Sequence, residues 1–117
     1  EIMSRFKRTG EFEKELSLLT KKYRSLPLDL VRIEEVIEQY PTGVGKNFTI
    51  IHSDDTHEIV KARMACSSLK KNSMRLIYAY NKKEIIFIHI ELYFKGEKAN
   101  EDRERIKRFL KIFETAA

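Results

Sequence analysis

Apolar residues recur along this chain with two different periods, and the change from one to the other divides it into regions. Met3–Thr9 alternates, with Ser4, Phe6 and Arg8 on one side and Arg5, Lys7 and Thr9 on the other, as a short strand does. Thr9-Gly10 offers a helix start, and Glu11 and Glu13 suit its first turn. Phe12, Leu16, Leu19 and Tyr23 then follow in steps of four, three and four, one face of a helix. Ser25-Leu26-Pro27 interrupts that period, and Pro27 fits a new first helical turn. A second apolar stripe runs through Leu30, Ile33, Ile37 and Tyr40 until Pro41-Thr42-Gly43 stops it. The short connection predicts an antiparallel helical hairpin.

Beyond Gly45 the period shortens to that of strands. Phe48–Ile51 reads as a brief strand or part of a loop, and Ser53–Thr56 is a turn cluster. Strands are predicted over His57–Met64, Met74–Tyr80 and Glu84–Lys95, with Asn81-Lys82-Lys83 turning the last two into a hairpin. Ser67–Ser73, carrying Lys70 and Lys71, is a basic loop. Asn100 is the expected cap of a final helix, with Glu101 and Asp102 in its first turn and Ile106, Phe109, Leu110 and Phe113 as its stripe. The order β-α-α-β-β-β-α, with helices over one sheet face, places the chain in the α+β class.

Strand parity divides the sheet faces. Ile86, Ile88, Ile90, Leu92 and Phe94 form an apolar set expected under the helices. His89, Glu91, Tyr93 and Lys95 fall on the opposite side. Lys61 and Arg63 share a parity, and Arg75 opens the next strand. Cations converging on an open sheet face suit a phosphodiester backbone, because Arg and Lys bind phosphate oxygens by charge-assisted hydrogen bonds. An ordinary charged exterior is the alternative.

Composition narrows the picture further. The chain has 117 residues, enough for one domain, expected over 3–114, and Met3 would serve as a natural start. Four Gly and two Pro leave no linker-like stretch. A single cysteine, Cys66, forms no intramolecular disulfide, so a reducing, cytoplasmic compartment is expected. No apolar run approaches a membrane span, and no signal peptide is evident. The net charge of +5 is uneven: Ile59–Lys98 holds nine basic and three acidic residues, whereas Glu1–Glu58 holds nine and eleven. Such a basic centre attracts polyanions.

Several other residues carry chemically capable groups. His52 and His57, with Asp54 and Asp55 between them, lack helical or zinc-finger ligand spacing, so neither metal nor cofactor is expected. Cys66 has no adjacent His to activate it. Gly43-x-Gly45-Lys46 lacks the full phosphate-loop pattern. His89 and Tyr78 read as core residues, and a structural pair with Glu91 is an alternative for Arg75.

The central region resembles a known family. Val60-Lys61-Ala62-Arg63, a basic loop and Met74-Arg75-Leu76-Ile77-Tyr78 are similar to the K-x-R and G-x-R-hydrophobic-hydrophobic-Y strands of the RelE/ParE toxin superfamily. Tyr93-Phe94-Lys95-Gly96-Glu97-Lys98 looks like the Y-x-K-x-E-K ending of RelE-like and HigB-like toxins, and Phe12–Tyr23 like their first helix. The chain departs from the pattern at Ser73, where Gly is usual, in a longer Ala65–Ser73 loop, and near the last helix. There the family often has a catalytic Tyr or His, and this chain has Asn100, Glu101 and Asp102.

The resemblance implies the toxin of a type II toxin–antitoxin module, cleaving mRNA on the ribosome and held in check by an antitoxin in a hetero-oligomer, away from membranes. It implies Lys61 as general base or charge stabiliser, with Arg75 clamping phosphate and Lys95 stabilising charge or protonating the leaving group. Neighbouring cations would lower the Lys61 pKa. Arg63, Lys70, Lys71 and Lys98 would bind substrate, and Tyr93 would orient it or stack on it. A gyrase-inhibiting ParE-like toxin and an inactive binding module remain as other readings.

Overall fold

The computed structural model describes residues 5–69 and 73–115 of the chain, with side chains through residue 113. Its elements are β1 (Phe6–Arg8), α1 (Gly10–Lys22), α2 (Leu26–Gln39), β2 (Phe48–Ser53), β3 (His57–Ala65), β4 (Ser73–Asn81), β5 (Ile86–Phe94) and α3 (Arg103–Thr115). They build an α+β fold around one five-stranded sheet of order β1-β5-β4-β3-β2. The segment at Phe48, left open between strand and loop, is a full edge strand, and it adds one strand to the expected order. β2 to β5 form an antiparallel meander, and β1 pairs in parallel with β5.

Local chemistry explains the helix boundaries. Thr9 ends β1 and caps α1, its hydroxyl oxygen accepting from the Phe12 amide at 3.2 Å. Pro27 occupies the first turn of α2, where its missing N–H costs nothing. Asp102, not Asn100, caps α3, its Oδ1 accepting from the Arg105 amide at 3.1 Å. Gly43, at φ +84°, follows α2, and a Cβ there would fall 1.9 Å from the Phe48 ring.

Helices cover both faces of the sheet rather than one. α1 and α2 bury Phe12, Leu26, Leu30 and Ile37 against Val60, Met64, Leu76, Tyr78, Phe87 and Leu92. α3 lies across the opposite face, setting Ile106, Phe109 and Leu110 over Ile59, Ile77, Ile88 and Ile90.

The strict alternation expected along the last strand breaks at Ile90. Tyr78 pairs with His89 and Ile77 with Glu91, so Ile90 is an extra residue in a β-bulge. Ile86, Ile88 and Ile90 consequently face α3, whereas Leu92 and Phe94 join Phe87 under the hairpin. Three side chains from other elements hold the bulge. Thr9 Oγ1 donates to the Ile90 carbonyl at 3.3 Å, and Arg105 Nη2 donates to the same oxygen. Glu15 accepts from the Leu92 amide at 3.1 Å and from Arg105 at 2.7 and 2.9 Å. Arg105 thereby ties α3 to α1 through the sheet.

Removing one member of a buried ion pair strands its partner and costs about 3–5 kcal/mol. Arg105→Met is therefore expected to lower the unfolding free energy by about 3 kcal/mol in urea. Lys107→Met, which breaks an exposed pair with Glu104, should change it by less than about 0.5 kcal/mol. Equal small losses would show that the bulge is not held by Arg105.

Candidate functional site

Where α3 does not reach, the sheet face opens into a cavity of about 430 Å³. β3 contributes Lys61 and Arg63 to its wall, and β4 contributes Arg75. Lys95 comes from the turn after β5, and Glu101 and Arg103 from the start of α3. Lys46, Asn47, Thr49 and Ile51 close the side along β2. Pairing places Thr49 beside Lys61 and sets Arg63, Arg75 and Tyr93 in one row across three strands.

Four of the residues singled out in the sequence, Lys61, Arg63, Arg75 and Lys95, thus meet at one cavity. No ion pair among the described residues engages Arg63, Arg75 or Lys95. Arg75 is 7% exposed and donates to the carbonyl and hydroxyl of Ser73, not to Glu91. Burial lowers its pKa, and the Arg63 guanidinium across the strand adds to that. Guanidinium groups remain protonated at any physiological pH, so Arg75 is a partly desolvated cation facing a second cation, and an anion would offset both costs.

Lys61 differs from the expectation for it. Its Nζ donates to Glu101 Oε1 at 2.9 Å, and this bond raises its pKa despite the opposing effect of burial. Held as an ammonium, it is a source of charge or protons, and the free-amine base role does not survive. Among the described residues Glu101 is the one carboxylate lining the cavity, and its side chain is 3% exposed. Burial acts to raise its pKa, but the Lys61 hydrogen bond, with the charges of Lys61 and Arg103, outweighs burial and lowers it. Arg103 holds Oε2 at 2.8 Å.

Two other expectations change. Tyr93 is 4% exposed and packs in the core under α3, so its ring offers no stacking surface. Its hydroxyl is buried without a hydrogen-bond partner among the described residues, and burial raises its pKa. Lys98 binds Glu91 and lies over the Tyr93 ring at 5.5 Å, and it does not line the cavity. Lys70 and Lys71 lie outside the described residues.

Sequence reasoning passed over Lys46, Arg103 and the role of Glu101. In the sequence Glu101 stands beside Asn100 and Asp102 at the start of the last helix, and nothing local sets it apart from Asp102 and Glu104. The histidines have structural partners. His89 Nε2 meets Glu34 Oε2 at 2.8 Å, His52 meets Asp54 at 2.8 Å, and His57 packs against Phe113. Among the described residues, no three His, Cys, Asp or Glu side chains are grouped to hold a metal ion.

The sequence matches no protein-family model and no curated protein. The fold does find a solved counterpart, in a crystal structure of the archaeal RelE–RelB complex from Pyrococcus horikoshii OT3. The TM-score is 0.61 at 19% identity, over 81% of this chain and 98% of the other. The chain therefore has a RelE-like fold, as the resemblance implied.

The lowered pKa of Glu101 contributes stability that is present above the ordinary carboxylate value of 4.5 and lost as pH falls through the folded-state value. In Lys61→Met that depression shrinks, so acid unfolding should begin at a higher pH than in the wild type. At neutral pH the variant should be about 1–3 kcal/mol less stable, a gap that closes in acid. Thermal melts across the acid range measure both, and a gap independent of pH would remove the pair from the account.

Proposed function

We propose that this chain, as a single domain over 3–114, is the toxin of a type II toxin–antitoxin module and cleaves mRNA on the ribosome. The observation that carries the reading is the cavity in which Arg63, Arg75 and Lys95 stand, among the described residues, without carboxylate partners beside the Lys61–Glu101 pair. Arg63 and Arg75, opposite each other on adjacent strands, clamp the two free oxygens of a phosphodiester.

The reaction is attack of a ribose 2′-oxygen on the adjacent phosphorus. Glu101, ionised at neutral pH, takes the 2′-OH proton, and Lys61 shares its charge between Glu101 and the phosphorane. The bond from phosphorus to the 5′-oxygen breaks, Lys95 supplies that oxygen with a proton, and the products are a 2′,3′-cyclic phosphate and a 5′-hydroxyl. Tyr93, buried under α3 and outside the cavity lining, supports the wall from behind and touches no substrate. Lys46 and Arg103 extend the cationic wall toward neighbouring phosphates.

The solved counterpart is a complex of RelE with RelB. The same arrangement here calls for an antitoxin, in a cytoplasmic hetero-oligomer, with an acidic segment that neutralises the cavity.

Cleavage mapping of an mRNA in a reconstituted translation system tests the reading. Arg75→Ala and Lys95→Ala are each expected to slow cleavage by about 10²-fold, and Glu101→Gln by about 10²- to 10⁴-fold. Cuts that persist in all three variants, or intact mRNA together with blocked gyrase supercoiling, would overturn it.

A further inference from the structure

Glu91 is fully buried in the sheet, yet it lines no part of the cavity. Taking a carboxylate out of water costs several kcal/mol, and apolar residues of similar volume usually pack as well or better. Its contacts suggest what it does there. One oxygen accepts from the Lys98 ammonium. The other accepts from the backbone amide of Asp102 at 2.9 Å. That amide belongs to the peptide bond that leaves Glu101.

The α3 start is held on its other side by the Asp102 cap on the Arg105 amide. Glu101 therefore sits between a peptide plane held from the sheet and a capped helix. From there its two oxygens reach Lys61 and Arg103. The bulge at Ile90 is what turns Glu91 toward this segment.

The geometry points to Glu91 as a positioning residue: through the Asp102 amide it sets where the Glu101 carboxylate meets Lys61 and the substrate. Lys98 serves the same device by neutralising Glu91, which accounts for a family-like lysine that never faces the cavity. This inference rests on the proposed cleavage reaction, because it assigns Glu91 to the base of that reaction. Misplacing a reacting group by about 1 Å costs on the order of 10²-fold in rate.

A double-mutant cycle tests it. Single-turnover cleavage of ribosome-bound mRNA is measured for wild type, Glu91→Leu, Glu91→Gln, Glu101→Gln and the two doubles, with thermal melts to establish folding. Glu91→Leu should slow cleavage by about 10- to 100-fold with KM changed less than about twofold. Glu91→Gln keeps a weaker, uncharged acceptor and should lose less. If Glu91→Leu does not fold, the Gln cycle carries the test. Both losses should vanish in the Glu101→Gln background, since neither then has a base to position. Wild-type rates in the single variants, or losses that multiply with Glu101→Gln, would overturn the assignment.

A second arm needs no RNA. Carboxyl carbon NMR follows the titration of Glu101 in wild type and Glu91→Gln. Removing a nearby negative charge would by itself lower the Glu101 midpoint, whereas loosening the Lys61 bond raises it. A midpoint above the one that loss of the Glu91 charge alone would give supports positioning, and a midpoint lowered by the full effect of that lost charge refutes it. A wild type that cuts no mRNA, together with the supporting midpoint in Glu91→Gln, would refute the cleavage reading and leave the positioning of Glu101 standing.

Discussion

The β-bulge at Ile90 is the constraint on which the rest of the molecule depends. One extra residue reverses the facing of everything after it in β5. Without it, Glu91 and Tyr93 would turn toward α1 and α2, where Phe12 and Leu30 leave no room for a charge. With it, Glu91 reaches the start of α3 and Tyr93 lies beneath that helix. The bulge leaves the Ile90 carbonyl and the Leu92 amide off the regular ladder, and buried backbone groups need partners. Thr9, Glu15 and Arg105 supply them, so one local irregularity also joins β1, α1 and α3.

This arrangement divides the sheet into a structural half and a working half. The hairpin side is continuous apolar packing, with the buried His89 bridged to Glu34. The α3 side is apolar only as far as Ile106 and Phe109 extend. Past them, strand pairing sets Arg63 opposite Arg75, a juxtaposition that folding alone disfavours. Rules of local consistency are broken at that place, and such breaks cluster where a ligand is expected.

Most elements were legible because their signals are local. The stripe from Phe12 to Tyr23, Pro27 and the Ile- and Phe-rich last strand each lie within a few residues of what they specify. Parity also brought Lys61, Arg63 and Arg75 to one side, since β3 and β4 pair without interruption. The phase of β5 was not legible, because the groups that hold its bulge stand far away in sequence: Arg105 meets Glu15 across 90 positions. Glu101 was hidden for the same reason, since its partner Lys61 lies 40 positions earlier. The diversion of Lys98 to Glu91 follows from the same shift in phase, and Tyr93 is buried because α3 covers the face it lies on.

The crowd of positive charge around the cavity has a consequence for the empty protein. Lys46, Lys61, Arg63, Arg75, Lys95 and Arg103 repel one another across a small volume, and among the described lining residues only Glu101 offsets them. Dissolved salt screens such repulsion and weakens capture of a polyanion by the same mechanism. Ionic strength thus acts in two opposed senses, easing the strain among these cations while weakening the pull they would exert on a polyanion.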